Sequence, residues 1–363
     1  MVYVTEALLY VSFSVLLGGL IIGLIPEDKR PHIVVPQSVL IAACAAIPIL
    51  SFFPVHVAIK FFANAFEDTY WSLIDDVLIN INVGNAWLWS IGLTIPLMML
   101  FLVKAFKDDK TTPYVAIVFT LAQIVAFGWA SHSSGMYRWE GFLLHTAHFL
   151  AVVVWIGLLF VTGRFAKDNR NWEAFLKWFS PLSMICVGVT ILAGFMMMNL
   201  LEPNYVHSWV FSYGQALLIK HLLIIPLLIF AFFNGFLIKN KLKRNPQFNP
   251  VSWLRAESMI AFLIFSITAI MGQQTPSHDI AEALEFGLQP SQLFSLFFRG
   301  EVSPDTLLQL SLSPLSVTFA TVSVLSLILM LYFFYKKERY VPVLMMSLLF
   351  VITTYLSLML GIK

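Results

Sequence analysis

The sequence predicts an all-α membrane protein, a polytopic bundle of transmembrane helices. Of the 363 residues, 59% are hydrophobic and only 12% are charged, and the mean hydropathy is +0.83. These values lie well outside the averages of globular domains. Ten apolar runs are each long enough to cross a bilayer, which takes about 20 residues. Little chain remains for a soluble catalytic domain, so we expect neither an enzyme nor a nucleic-acid partner.

The ten predicted spans follow one another with two long interruptions. The first run contains Glu6 but no Lys or Arg, and no small-residue cleavage site follows it, so we expect an uncleaved helix rather than a signal peptide. The connections 57–85 and 275–314 carry apolar residues among acids, which predicts interfacial helices. The spans are predicted at 4–25, 34–56, 86–105, 113–131, 140–163, 179–201, 214–238, 255–274, 315–335 and 341–361.

The positive charges predict the orientation. Seventeen of the 22 Lys and Arg residues fall in every second connection. By the positive-inside rule these connections are cytoplasmic, which places both termini outside. The opposite connections are acidic. That surface could gather cations, or it could be an ordinary solvated face.

No source of chemical energy is visible in the chain. A GxxxxGK[ST] nucleotide loop is absent, and such a loop is the usual mark of an ATP- or GTP-driven protein. The stretch 109–112 resembles the phosphorylated Asp-Lys-Thr of P-type ATPases, but the Gly that should follow is missing. We therefore expect a transported ion to move down its own gradient or with the membrane potential.

Histidines and methionines concentrate in the predicted outer half. His145 and His148 are three residues apart on the fifth helix, so both project from nearly the same face. Counted from Trp139, they lie roughly 9 to 14 Å below the outer boundary. Only His32 lies on the cytoplasmic side. The seven outer histidines are His56, His132, His145, His148, His207, His221 and His278.

These donors predict a copper site. His132 is predicted to end the fourth helix, with Met136 just beyond it. Imidazole with thioether, and without a required thiolate or carboxylate, favours copper and especially Cu(I). A histidine that only bonds a neighbouring helix, or a methionine used as apolar filler, is the ordinary alternative for each residue. The predicted ligands are His132, His145, His148, His221, Met197, Met198 and Met271.

Three further residues of the spans stand out. Cys44 and Cys186 lie near the middle of the membrane, where a thiol could be a stepping point for Cu(I), although a small buried apolar residue is the commoner role. Lys220 lies inside the seventh helix and must pair, extend to the interface or lose its charge. Glu140 and Glu202 are possible partners by depth. Lys220 could serve the cation site or only a structural ion pair.

The fifth to eighth helices resemble the CopD family of copper resistance membrane proteins, which includes bacterial copper uptake proteins. The stretch His148-FLAVVV-Trp155-Ile156-Gly157 is similar to the His-x6-Trp-x-Gly helix of that family. The similarity continues, in order and spacing, to Pro276. Its further positions are Phe179, Ser180, Gly194, Tyr213, Gly214, Leu218, Lys220, Asn234 and the run Leu254-Arg255-Ala256-Glu257.

The resemblance implies a copper-transfer function in a bacterial-type cytoplasmic membrane. It implies an eight-helix core over 1–276, followed here by an extracytoplasmic connection, 277–314, and two additional helices over 315–363. We see no copper-binding β-domain of the kind that some members of the family carry, so we expect copper and the lipid bilayer as partners, with a separate extracytoplasmic delivery protein as a possible one. The family positions that could serve the path or the structure include Trp155, Lys220, Asn234, Arg255 and Glu257.

Three functions remain open at this point. The first is copper transport without ATP hydrolysis, with import favoured. The second is a haem protein for electron transfer or haem metabolism, in which His148 and His221 would be axial ligands of a haem b. The third is a copper-binding assembly or sensor protein that does not pass the ion on.

Overall fold

A computed structural model describes residues 1–107, 109–244, 248–276, 280–337 and 339–363. Within these ranges the chain is all-α, and ten helices are long and apolar enough to cross a membrane, which confirms the predicted number. The helices are α1 (Val2–Leu24), α2 (Gln37–Ala65), α3 (Ile74–Asn80), α4 (Asn82–Leu102), α5 (Lys104–Lys107), α6 (Thr112–Trp129), α7 (His132–Phe165), α8 (Trp172–Leu201), α9 (Ser212–Phe232), α10 (Ile238–Arg244), α11 (Val251–Met271), α12 (Ile280–Glu285), α13 (Gln292–Ser295), α14 (Pro314–Tyr332) and α15 (Tyr340–Met359).

The chain forms two compact units. The first unit comprises 1–198 and 235–258, and the second comprises 199–234 and 259–363. A π-helical turn, Phe233–Leu237, lies where α9 passes from the second unit to the first.

The first unit is built around α1, which packs against α2, α6 and α7. A Cβ atom on Gly157 of α7 would lie 2.3 Å from the carbonyl oxygen of Ser14 and 3.3 Å from the Cα of Gly18, both in α1. Small residues let two membrane helices approach in this way. One turn or more away, the rings of Tyr10 and Phe149 lie 5.8 Å apart. Since both contacts occur in the same order along the two helices, α1 and α7 run parallel.

The fourth span ends earlier than predicted. α6 stops at Trp129, and His132 is the first residue of α7. The Ser131 hydroxyl caps this new helix by accepting a hydrogen bond from the backbone N–H of Ser134 at 3.2 Å, and serine is a favoured residue at that position. The prediction that His132 ends the fourth helix is therefore wrong. His132 belongs to the same helix as the other two candidate histidines of this unit.

α7 contains a kink in its second turn. Tyr137 and Arg138 depart from helical geometry, and Arg138 has a φ of 45°, a left-handed conformation that side chains other than glycine rarely adopt. The kink folds the first turn back onto the main helix. A Cβ atom on Gly141 would lie 1.8 Å from the carbonyl oxygen of Ser133, so only glycine fits at that contact.

The two long connections contain short helices, and the apolar residues of these connections divide between the interior and the surface. In the first connection, Val77 of α3 is buried against Val55 and Ile59 of α2, whereas Trp71 is exposed. α2 itself continues to Ala65, nine residues beyond its predicted end.

The same division is found in the second unit. Phe294 of α13 is buried with Val210, Ile280 and Leu308, whereas Leu296 is exposed. The end of the chain joins this cluster, because Gln309 and Lys363 exchange two backbone hydrogen bonds of 3.0 and 2.9 Å.

The last helix is joined to α9 within the second unit. The Tyr355 hydroxyl of α15 donates to Oε1 of Gln215 at 2.5 Å, and Nε2 of Gln215 lies 3.5 Å from the sulfur of Met359. All three side chains are buried. Of the two helices that follow the second long connection, the last one, α15, therefore packs against α9 of the seventh span through a buried polar contact.

Candidate functional site

His148 is held by α8. Its Nδ1 atom lies 2.9 Å from the carbonyl oxygen of Thr190. The ring lies against Gly194 one turn farther along, where an added Cβ atom would be 3.2 Å from Cε1 and 3.3 Å from Nδ1. A side chain at Gly194 would therefore crowd the imidazole and displace it by a few tenths of an ångström.

This hydrogen bond decides which nitrogen carries the proton. A carbonyl oxygen can only accept, so Nδ1 of a neutral His148 must be the donor, and the lone pair then lies on Nε2. Histidines that bind metals commonly show this arrangement, with one ring nitrogen donating to a backbone carbonyl and the other facing the metal. The hydrogen bond to Thr190 thus fixes one tautomer of a neutral His148, with the lone pair on Nε2.

Two of the predicted thioether ligands share the α8 face on which His148 lies. Met197 and Met198 are three and four residues beyond Gly194, so they project from the same side of α8, one turn farther on. Both are half-buried, whereas the neighbouring Met196 is exposed. The first unit thus combines one imidazole and two thioethers along a single stretch of α7 and α8.

His145 has different neighbours from His148. Its ring lies 5.9 Å from that of Phe127 in α6 and 6.2 Å from that of Phe149. The two imidazoles, predicted on one face of the helix, are thus directed toward α6 and α8 respectively. Among the residues that the structure describes, no group of three or more His, Cys, Asp or Glu side chains is placed to hold a metal ion.

His132 lies at a surface cavity of about 460 Å³. Met136, which follows it by four residues, also lines this cavity, together with Asn80, Asn82 and Ser131. Residues four apart in a helical turn lie on the same side. The cavity thus offers an imidazole and a thioether at the end of the bundle where α1 begins, because α1 and α7 run parallel.

The remaining predicted ligands belong to the second unit. Nδ1 of His221 in α9 lies 2.8 Å from the hydroxyl of Tyr205, and the two rings are 5.4 Å apart. Burial raises the pKa of Tyr205 to about 12, although a hydrogen bond with Trp209 opposes this shift, so the phenol keeps its proton at neutral pH. Met271 is the last residue of α11 and is half-buried. His278 lies outside the described residues.

Lys220 is half-buried in α9, next to His221. A charged ammonium inside a membrane helix is costly. The two roles predicted for Lys220, at the cation site or in a structural ion pair, stay predictions.

Several family positions have visible structural roles. Trp155 is buried in α7. Nε of Arg255 donates to the carbonyl oxygen of Gly163 at 2.8 Å and so joins the ends of α11 and α7. Glu257 and Asn234 are buried polar residues, the first in α11 and the second in the π-helical turn.

One polar cluster was not anticipated from the sequence. Glu6 is buried in α1 and accepts a hydrogen bond from the Tyr10 hydroxyl at 2.8 Å. The Tyr10 ring contacts Phe127 and Phe149, the two rings that flank His145. A charged residue inside the first apolar run was the available signal, because buried carboxylates are rare in membrane helices.

Comparison with known proteins adds independent findings. A model of the N-terminal domain of copper resistance protein D-like proteins matches residues 1–142, and the copper resistance protein D model matches residues 173–271. The chain is also similar to the copper transport protein CutJ of Bacillus subtilis. The two are 23% identical over 294 residues, which cover 75% of this chain and 52% of that protein.

The chain therefore spans about half the length of this curated relative. No solved structure matches it. The two family models together cover about two thirds of the chain. They include α8, α9 and α11, three of the four helices in which the sequence resemblance was found, whereas the stretch from His148 to Gly157 of α7 lies between the two matched ranges. This multi-pass membrane protein belongs to the copper resistance protein D family.

Proposed function

We propose that the protein transports copper inward across the cytoplasmic membrane through a His/Met site near the outer face. His148 carries this proposal. Its Nδ1 hydrogen bond to the Thr190 carbonyl, 2.9 Å long, fixes the tautomer that is common among metal-binding histidines, and Met197 and Met198 follow on the same helix face. Imidazole and thioether together select Cu(I) over hard divalent cations.

The cavity lined by His132 and Met136 supports a first docking position for the ion. In the proposed orientation, with both termini outside, this cavity opens on the outer surface. Because its two soft donors are near the surface, a separate copper-delivery protein could transfer the ion there. His148 lies farther along the same helix, so the ion would move inward from one imidazole to the next.

The membrane potential supplies the proposed driving force. The sequence contains no nucleotide-binding loop, and a monovalent cation moving inward gains about 2.3 kcal/mol per 100 mV. This corresponds to about fifty-fold accumulation at equilibrium. Uptake should therefore rise when an inside-negative potential is imposed on vesicles.

Copper uptake into sealed vesicles tests the proposal. The vesicles contain the purified full chain as their only protein and enclose a copper indicator. When copper and a reductant are added outside, these vesicles should accumulate Cu(I), whereas vesicles without protein should not. His148→Ala should abolish this uptake, and His32→Ala, which changes an exposed histidine at the other end of the bundle, should leave it intact.

Two outcomes would contradict the proposal. Wild-type vesicles that bind copper but do not accumulate it would favour an assembly or sensor protein. Normal uptake by a well-folded His148→Ala variant would remove His148 from the mechanism.

A further inference from the structure

Three hydroxyl groups of α8 lack the hydrogen bond that most other hydroxyl groups in the spans make. The Oγ atoms of Ser180 and Ser183 and the Oγ1 atom of Thr190 are buried, and none has a hydrogen-bond partner among the described residues. Hydroxyls in membrane helices commonly donate to the carbonyl four residues earlier, as Ser12 does to Leu8 at 2.8 Å. The same bond is made by Ser51, Thr120, Ser258, Ser347 and Thr353.

The three hydroxyls share one face of α8. At about 100° per residue, Ser180, Ser183 and Thr190 fall within one side of the helix, and Cys186 and Met197 fall beside them. We call these five residues the donor stripe. From first to last it extends about 26 Å at 1.5 Å per residue, close to the roughly 30 Å of the hydrocarbon core.

Both ends of the donor stripe meet an unusual local structure. Near one end, the His148 ring lies on the stripe at Thr190. At the other end, the Oγ atom of Ser180 lies 3.9 Å from the position of a Cβ atom on Gly235. Gly235 is part of the π-helical turn Phe233–Leu237, and such turns inside α-helices are frequent at functional sites.

From this arrangement we infer that the donor stripe is the path along which Cu(I) crosses the membrane. The inference rests on the proposed transport function and names its route. The ion leaves His148 and Met197, passes the thiol of Cys186, and reaches the hydroxyls of Ser183 and Ser180. The ion remains Cu(I) throughout, because each step only exchanges one ligand atom for the next.

The chemistry of the stripe suits this ion. From Ser180 to Thr190, consecutive donors are about one turn, or 5.4 Å, apart. Thr190 and Met197 are about two turns apart, and the His148 ring lies between them, so a dehydrated cation has a ligand within reach at each step. Thioether, imidazole and thiol are soft donors that favour Cu(I). Hydroxyls that make no hydrogen bond to their own helix are free to rotate and to turn a lone pair toward a cation, although burying them unpaired is costly.

The two cysteines of the chain provide a matched test. Both are buried, but Cys186 belongs to the donor stripe and Cys44 lies in α2. The probe is a small, positively charged methanethiosulfonate, added to vesicles of the full chain and detected by intact mass. The Cys44→Ala variant should be modified at Cys186, more slowly when Cu(I) is present, and the Cys186→Ala variant should remain unmodified.

Two further positions, Ser183 and Ile185, test whether the reactivity depends on the face of α8. In the cysteine-free background, Ser183→Cys should react with the same reagent. Ile185→Cys, on the opposite face of α8 and 65% exposed in the isolated chain, should not, because a lipid-facing thiol does not ionise. Ser183→Ala should lower the rate of copper uptake about tenfold, the effect of losing one contact to a charged group, with copper binding at His148 retained.

The outcomes separate the path from the function. If neither Cys186 nor Ser183→Cys reacts while the wild type takes up copper, the path lies elsewhere and transport stands. If the wild type takes up no copper, the proposed function is refuted, and the inferred path with it.

Discussion

Gly194→Ala separates copper binding from stability. The new Cβ atom would lie 3.2 Å from Cε1 and 3.3 Å from Nδ1 of His148, so the imidazole must shift by a few tenths of an ångström. This shift lengthens the 2.9 Å hydrogen bond to Thr190. A net hydrogen-bond contribution of about 0.5–1.5 kcal/mol corresponds to about two- to twelve-fold weaker copper binding.

The stability of the folded Gly194→Ala variant should be equal to or higher than that of the wild type. Alanine in a helix interior is more stable than glycine by roughly 0.5–1 kcal/mol, which offsets the crowding at His148. Copper affinity and thermal unfolding of the purified protein measure the two effects in the same sample. Gly188→Ala, in the same helix and with nothing within 4 Å of the new Cβ atom, is the control and should leave copper affinity unchanged.

Unchanged affinity in Gly194→Ala, with a normally folded protein, would refute the reasoning. It would mean that the position of the His148 ring against α8 does not matter for the metal. A parallel loss of stability and affinity would also contradict it, because crowding would then act on the fold rather than on the ligand.

Three further predictions follow from single contacts. Gly157→Ala should lower the thermal midpoint strongly, because its Cβ atom would lie 2.3 Å from the Ser14 carbonyl oxygen; a midpoint equal to wild type would contradict the close helix crossing. Lys220→Ala should reduce copper uptake more than it reduces thermal stability, and normal uptake would exclude Lys220 from the mechanism. Partial desolvation raises the pKa of Asp168, but hydrogen bonds from the His32 N–H and from Arg170 outweigh it and lower the pKa below the usual value. The depressed pKa stabilises this loop above about pH 4, the ordinary carboxyl pKa, and the contribution is lost as pH falls through the folded-state value. Hydrogen exchange of the His32 amide should therefore accelerate in acid, and Asp168→Asn should remove that dependence.

Hydrophobicity alone predicted the membrane helices. Each span is a long apolar run, and the bilayer requires about 20 such residues whatever the neighbours are. The helix ends were less predictable because they depend on local contacts. At Ser131 a single side-chain cap starts a new helix, and at Arg138 a left-handed residue bends it.

The sequence predicted the types of donor better than their surroundings. The three-residue spacing of His145 and His148 indicated one helix face, but only the packing of α6 and α8 shows that the two rings have different neighbours. The resemblance marked Gly194 as a family position but gave no physical reason for a glycine there. The structure supplies one, because a side chain at Gly194 would crowd the His148 ring.

X-ray absorption at the copper edge of the purified, Cu(I)-loaded protein tests the central claim most directly. We expect a copper ion bound by both imidazole nitrogen and sulfur, with the imidazole contribution lost in His148→Ala. Identical spectra for the wild type and this variant, a shell of oxygen alone, or a stoichiometric Soret band from haem b in the same sample would contradict it.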